Sequence, residues 1–390
     1  MLRLSDIFRL PIADVKDLAL ELPQVTCLYP PARRTRVFWI RHVFSLLVVV
    51  PVAGLWRIAE VLHQACEAYQ TRSRIFILLG DKLTVKFLAG WRLLQANAIF
   101  GGKFVVIKYG DVLIDPGPRR AWLQVKRFLQ SLPPGAISAI LCTHCHEEHI
   151  GNAAAASRFL GVPVYGTPCT LAEIRNPSRS PFYRRWYFGQ PEPCGADAEL
   201  HELPDRIKVE AGFLQVVESS GHCDGHVAFY CPEHKLLFSG DSYMGELLTS
   251  PTGDVNAAEW IKTLETYAEL DIDMVLEGHG ELHTANPGIP DIEGLVTRNI
   301  PRNMFQRKLA FLRWAKGAVA HGEQQGFDYQ LIEACLFPPL AYWSLSTWAR
   351  DESFRFYSWG GFSRTQFVRS LRANATTRPG CKPAGFPGRS

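Results

Sequence analysis

Between Leu141 and Asn152 the chain reads Leu-Cys-Thr-His-Cys-His-Glu-Glu-His-Ile-Gly-Asn, which sets three histidines and two carboxylates into six positions behind an apolar run. His144 and His146 are two apart, so on a strand-like or tightly turned backbone both imidazoles point to one side, where neutral nitrogens can share a metal ion. His149 follows three residues later. If the backbone turns into a helix there, His149 and Glu148 approach the same centre from another angle. The spacing therefore predicts two ions side by side, with the missing ligands supplied by distant segments.

Four further segments carry the same residue types beside glycine. Upstream, Val112-Leu113-Ile114-Asp115-Pro116-Gly117 closes an apolar run on Asp-x-Gly. Downstream come Gly221-His222-Cys223-Asp224-Gly225-His226, then Ser239-Gly240-Asp241 after an apolar run, then Gly278-His279-Gly280. In that order the five segments resemble the signatures of the metallo-β-lactamase superfamily, whose His-x-His-x-Asp-His motif is matched by His144, His146, Glu148 and His149. The resemblance covers roughly Ala96 to Thr284. It implies an α/β fold, the four-layer αββα sandwich, with one ion held by His144, His146 and His222. A second would be held by Glu148, His149 and His279, with the Asp241 carboxylate between the two.

Imidazole and carboxylate donors suit Zn²⁺ first, as two ions, and also admit a single ion, Fe or Mn. In such a centre the cations bring a shared water toward ionisation near neutral pH, and the hydroxide attacks an electrophilic carbonyl or phosphorus. The resemblance makes Glu148 and Asp241 the catalytic carboxylates, and leaves His226 and Asp115 to orient ligands or close a strand end. Glu148 is a departure, since the family usually has Asp there; the extra methylene shifts or weakens the second site. Glu147 is expected to face solvent or to support a ligand. Asp241 stands where penicillin-cleaving relatives usually carry Cys, which argues against an antibiotic-hydrolysing enzyme.

The reading that follows is a metal-dependent hydrolase of a small ester, thioester, lactone or phosphodiester, lipid-like if the chain attaches to a membrane. Two alternatives stay open. One is an iron-dependent thiol dioxygenase or flavin-linked oxidase subunit of the same fold; the other is a non-catalytic membrane-attached protein that retains the fold. Histidines without such context, His42, His63, His201, His234, His283 and His321, read as ordinary core or surface residues.

The flanks set the remaining expectations. With 47% hydrophobic residues over 390 positions the chain can bury a sizeable core, and a net charge of +4 gives no indication of nucleic-acid binding. Residues 37–56 reach the length of a membrane span only by including Arg41 and His42. They are a candidate for membrane contact or for a buried hairpin, so the location is read as cytoplasmic or as membrane-associated on the cytoplasmic side. The expected division is a helical, apolar N-terminal extension over 1–95, the catalytic domain over 96–285, a helical, aromatic-rich extension over 286–373 and an unstructured tail over 374–390. Ile58 to Gln95 reads as helical, and Ala96 to Leu113 as paired strands. Between Asn176 and Pro193, basic and aromatic residues interleave around Arg184 and Arg185, a candidate substrate lid. Ten cysteines without regular spacing read as reduced, packed thiols, and Cys142-Thr-His-Cys145 as a coincidental Cys-x-x-Cys.

Overall fold

The structure is a computed structural model and describes residues 74–100, 103–195, 198–244, 253–327, 332 and 364–372. Residues 37–56, most of the aromatic-rich stretch before Leu371 and the 374–390 tail lie outside the described residues.

The described chain opens with strands. Ile75 to Leu88, expected to be helical, forms the antiparallel pair β1 (Ile75–Leu78) and β2 (Leu83–Leu88). The turn between them runs through Leu79, Gly80 and Asp81, all at positive φ, which closes a hairpin and breaks any helix. Within β2 the period is two: Leu83, Val85 and Phe87 face one apolar layer while Leu88 faces another. A helix, α1 (Trp91–Phe100), occupies the first part of the stretch expected as paired strands; only β3 (Phe104–Tyr109) and β4 (Val112–Ile114) form that pair.

Helices and strands then alternate as far as the second sheet. α2 (Trp122–Gln130), β5 (Ala139–Leu141), α3 (Glu147–Ile150), α4 (Ala153–Leu160) and β6 (Val164–Gly166) follow in order. Gly161, at φ +68°, stops α4 in the left-handed conformation that glycine adopts without strain. α5 (Pro168–Arg175), α6 (Phe182–Phe188) and β7 (Leu200–Glu202) complete this half. Strands β1 to β7 lie in sequence order in one sheet, antiparallel up to β4 and parallel beyond it.

The second sheet holds β8 (Arg206–Val209), β9 (Gly212–Glu218), β10 (Val227–Cys231), β11 (Leu236–Gly240), β12 (Met274–Glu277), β13 (Leu282–Thr284) and β14 (Val296–Arg298), in the order 14 to 8. α7 (Ala257–Glu269) crosses between β11 and β12, which are parallel. The extension expected to be helical holds α8 (Pro301–Gln324), and α9 (Arg364–Ser370) packs beside it.

Three apolar layers hold the sandwich. Val85, Val105, Phe229, Phe238 and Leu276 fill the space between the sheets. Leu93, Val125, Phe128 and Ala153 pack the first helical layer, and Trp260, Leu264, Phe305 and Leu312 the second. Each buried Val, Leu or Phe among them contributes about 1.5–3 kcal/mol on leaving water. The result is the expected αββα order, with a helical C-terminal extension. Strands β4, β5, β11 and β12 end on one rim, and the chemistry-bearing residues follow those ends.

Candidate metal centre

Four segments converge on that rim. β4 runs into Asp115, β5 into Thr143 and His144, β11 into Asp241, and β12 into Gly278 and His279. His146 lies just before α3, which presents His149. His222 and His226 come from the turn between β9 and β10.

The donors fall into sets. One ligand atom from each of His144, His146, His222 and Asp241 lies within 4.8 Å of the others, and so does one from each of His149, Asp241 and His279. A further set, Asp115, His144 and His149, overlaps both. Six of the seven residues singled out from the sequence as ligands are thus brought together. Glu148 falls in none of these sets.

Four of the rings, those of His144, His146, His149 and His279, are fixed by the outer nitrogen. His144 Nδ1 lies 2.9 Å from Thr143 Oγ1, His149 Nδ1 3.1 Å from Asp115 Oδ2, and His279 Nδ1 donates to the Lys103 carbonyl at 2.6 Å. His146 Nε2 lies 2.8 Å from Asp254 Oδ2, leaving Nδ1 facing His222 Nε2 at 3.1 Å. His226 Nδ1 binds Ser219 Oγ, and its Nε2 accepts the Asp241 backbone N–H at 3.1 Å, so this ring holds the backbone of a donor. Asp115, at φ +48°, accepts both the backbone N–H and the hydroxyl of Thr143 and so ties β4 to β5 beneath the site.

The inner atoms are left over. His144 Nε2, His149 Nε2 and Asp241 Oδ1 are buried without a hydrogen bond. Asp241 Oδ1 stands 3.3 Å from His149 Nε2, outside hydrogen-bond geometry, and Oδ2 lies 3.2 Å from His279 Nε2 and 3.6 Å from His222 Nε2. Buried polar atoms are ordinarily paired. A group of them aimed at common centres, each backed by a fixed tautomer, fits divalent cations bound by nitrogen and oxygen.

Charge in the chain alone tells the same story. Against burial, His279 and His149 hold the Asp241 carboxyl well below its ordinary range. Burial lowers His149, but Asp241 and Asp115 override it and keep that ring protonated well above the usual imidazole range. His146 is raised to about 9 because Asp254 outweighs burial, whereas burial takes His222 down to about 4. Protons here stand where cations would, and metal binding would release them.

Glu148 is engaged elsewhere. Arg184 of α6 donates Nη2 to Glu148 Oε2 at 2.6 Å, and Nε and Nη2 to the two oxygens of Glu147 at 2.6 and 3.0 Å. Glu147 is buried, not solvent-facing. Burial raises Glu148, but Arg184 first, then His146 and His149, bring it to about 2. The expected lid is a short helix fastened to the domain: Arg120 Nε donates to the Trp186 carbonyl at 2.8 Å, and the Arg92 guanidinium lies 4.0 Å over the Trp186 ring.

Asp254 was not singled out from the sequence. Its only local signal is Asn256 two residues on, whose side chain accepts from Ala258 and Glu259 and caps α7, while its backbone N–H donates to the Gly221 carbonyl. That anchor puts Asp254 beside His146. His283, read as an ordinary core residue, is buried 3.3 Å from Glu277 and forms a separate set with Glu277 and Glu281. The six described cysteines are in no disulfide, with Cys142 and Cys231 buried; Cys335 lies outside the described residues.

Two seven-stranded sheets between helical layers, with histidines and carboxylates gathered at their strand ends, define a metallo-β-lactamase fold. The family profile described as Metallo-beta-lactamase superfamily matches residues 104–279, the stretch that builds the donor sets and most of both sheets. Among curated relatives, it is 32% identical over 132 residues to a hydroxyacylglutathione hydrolase of Pseudomonas putida, covering 33% of this chain and 41% of that protein. It is 30% identical over 154 residues to that of Bdellovibrio bacteriovorus, covering 38% and 51%. An atrochrysone carboxyl ACP thioesterase of Aspergillus fumigatus is 24% identical over 229 residues, 57% of this chain and 64% of that one. The chain therefore spans about two fifths to half the length of the hydrolases it matches. Solved structures that resemble it include a beta-lactamase domain protein from Burkholderia ambifaria, at 16% identity and TM-score 0.48 over 76% of this chain and 87% of that one. A metallo-beta-lactamase family protein from Thermus thermophilus matches at 18% identity and TM-score 0.43, over 73% and 92%.

Proposed function

We propose that the chain is a metal-dependent hydrolase of a small thioester or ester, with zinc as the first-choice metal. The observation that carries this reading is that His144 Nε2, His149 Nε2 and Asp241 Oδ1 are buried and unpartnered within sets of converging donors. His144, His146, His222 and Asp241 would hold one cation; His149, His279 and the same Asp241 would hold a second. Cations in such a centre lower the pKa of water and polarise a substrate carbonyl.

The protein's own part is preorganisation. Asp115, Asp254, Thr143 and the Lys103 carbonyl fix which nitrogen of His149, His146, His144 and His279 faces inward, so these four rings need not turn during turnover. His226 fixes the Asp241 backbone and thereby the carboxylate between the sets. Thioesters come first among substrates because the names of the relatives include hydroxyacylglutathione hydrolase and ACP thioesterase. No helix among the described residues is long and apolar enough to cross a membrane, and residues 37–56 are not described, so a lipid-like substrate has no support in the fold.

To test this, metal content would be measured on the freshly purified full-length chain. Turnover of a hydroxyacylglutathione, an aryl ester and a bis-phosphodiester would be compared with that of His146→Ala. Zinc together with thioester turnover lost in the variant supports the proposal. Equal rates in both proteins would remove it, and iron with oxygen uptake would favour the redox alternative instead.

A further inference from the structure

Arg184 ties a helix outside the metal motifs to a carboxylate inside one. It reaches from α6 to α3 and is nearly buried, with 13% of its side chain exposed. All three of its short contacts are to carboxylate oxygens: two to Glu147 and one to Glu148. Glu148 feels His146, His149 and Asp241 electrostatically as well, so it borders the donor sets without belonging to one.

The two sets differ in what they lack. His144, His146, His222 and Asp241 already make four donors, which is a full tetrahedral complement. His149, Asp241 and His279 make three, and the carboxylate next in sequence to His149 is the one that Arg184 holds.

We propose that Arg184 and a second cation compete for the Glu148 carboxylate, so that the first ion binds regardless of α6 while the second binds in proportion to how readily Arg184 lets Glu148 go. This rests on the metal-binding reading above. Glu148 can satisfy a guanidinium hydrogen bond or a cation, and both are charge-assisted interactions in a buried setting, where one excludes the other. The exchange leaves no bare charge behind. Arg184 keeps its two-pronged contact with Glu147, and Glu147 is what permits Glu148 to leave. Arg184 is thus a positioning residue for the second site, and α6 is mechanically linked to metal loading.

The test is a zinc titration of the metal-free, full-length chain against a chromophoric chelator, for the wild type, Arg184→Gln and Arg184→Gln/Glu148→Gln. The wild type should take up one zinc tightly and a second more weakly. Arg184→Gln should leave the first affinity within about threefold and tighten the second by roughly ten- to a hundredfold, the worth of one hydrogen bond to a charged group. The double variant should lose that gain. General structural damage would weaken both ions, so tightening of one alone is specific.

Should Arg184→Gln not fold, amide exchange of α6 in the wild type replaces it: exchange should quicken when zinc is raised from one to two equivalents. Equal second-ion affinities in wild type and Arg184→Gln, or α6 exchange indifferent to the second equivalent, would overturn the competition while leaving the metal centre standing. No zinc bound by the wild type would overturn both.

Discussion

Asp254 Oδ2 lies 2.8 Å from His146 Nε2, on the side of the ring turned away from His222. The pair does two opposing things: it fixes the tautomer that a metal needs, and by raising His146 to about 9 it gives the metal a proton to displace.

The first prediction follows from that proton. In the metal-free chain His146 is protonated below about pH 9, so apparent zinc affinity should fall as pH drops through 9, by up to about tenfold per pH unit for this one proton. Asp254→Asn removes what lifts the ring. Its affinity in the alkaline plateau should be lower, by about ten- to a hundredfold, because orientation is lost. Its decline below pH 9 should be shallower by one proton. Chelator competition from pH 6 to 10 measures both, and parallel profiles would remove Asp254 from the account.

Gly278 offers a way to disturb the centre without touching a donor. A Cβ there would lie 2.7 Å from both Asp241 Oδ1 and His149 Cε1, closer than real atoms approach. Gly278→Ala should therefore push these two donors apart and weaken zinc at least about tenfold, a cost of roughly 1.4 kcal/mol in site geometry. Far-ultraviolet circular dichroism should keep the wild-type shape. Unchanged zinc affinity in a folded variant would show that the Asp241 and His149 positions do not matter to binding.

Lys308 predicts a pH-dependent stability. Its ammonium is fully buried on α8 without a hydrogen bond, 4.3 Å over the Trp260 ring and 5.4 Å over Tyr243. Burial lowers its pKa from 10.5 to about 7, although Glu277 and Asp241 pull the other way. Between those values the unfolded chain binds more protons than the folded one, so stability contributed by this group rises with pH from 7 to 10.5. Lys308→Met should be more stable than wild type at pH 7, by up to several kcal/mol at about 1.4 kcal/mol per pH unit, with the gain shrinking toward pH 10. Urea unfolding at both pH values checks it, and a methionine variant less stable at pH 7 would refute it.

Metal removal should cost stability. A cation bound only by the folded chain stabilises it by about 4 kcal/mol at a thousandfold excess over its Kd. Chelation should therefore lower the melting temperature of the wild type by several degrees and leave that of His222→Ala nearly unchanged. A wild-type melting temperature indifferent to chelator would count against a bound metal.

Much of this centre was legible because its donors sit beside glycine at strand ends, where short motifs carry chemistry and backbone together. His144, His146, His149, His222, Asp241 and His279 meet as their order implied. What the sequence hid were long-range partners. Arg184 reaches Glu148 across 36 residues and Glu147 across 37, and Asp254 reaches His146 across 108, distances at which no periodicity survives. The hairpin β1–β2 departs from the helical expectation because Phe76, Leu78 and Leu79 allow either period, and the turn at Gly80 and Asp81 decides for strands. Nothing in the sequence around Lys308 marks it as buried; the aromatic rings packed on it do.

Asp241 belongs to both donor sets, with Oδ1 toward His149 and Oδ2 toward His279 and His222. Two guests that share one carboxylate are not independent occupants. Whatever factor the presence of either adds to the affinity of the other must be returned in equal measure, so the rim of this sandwich titrates as one thermodynamic unit.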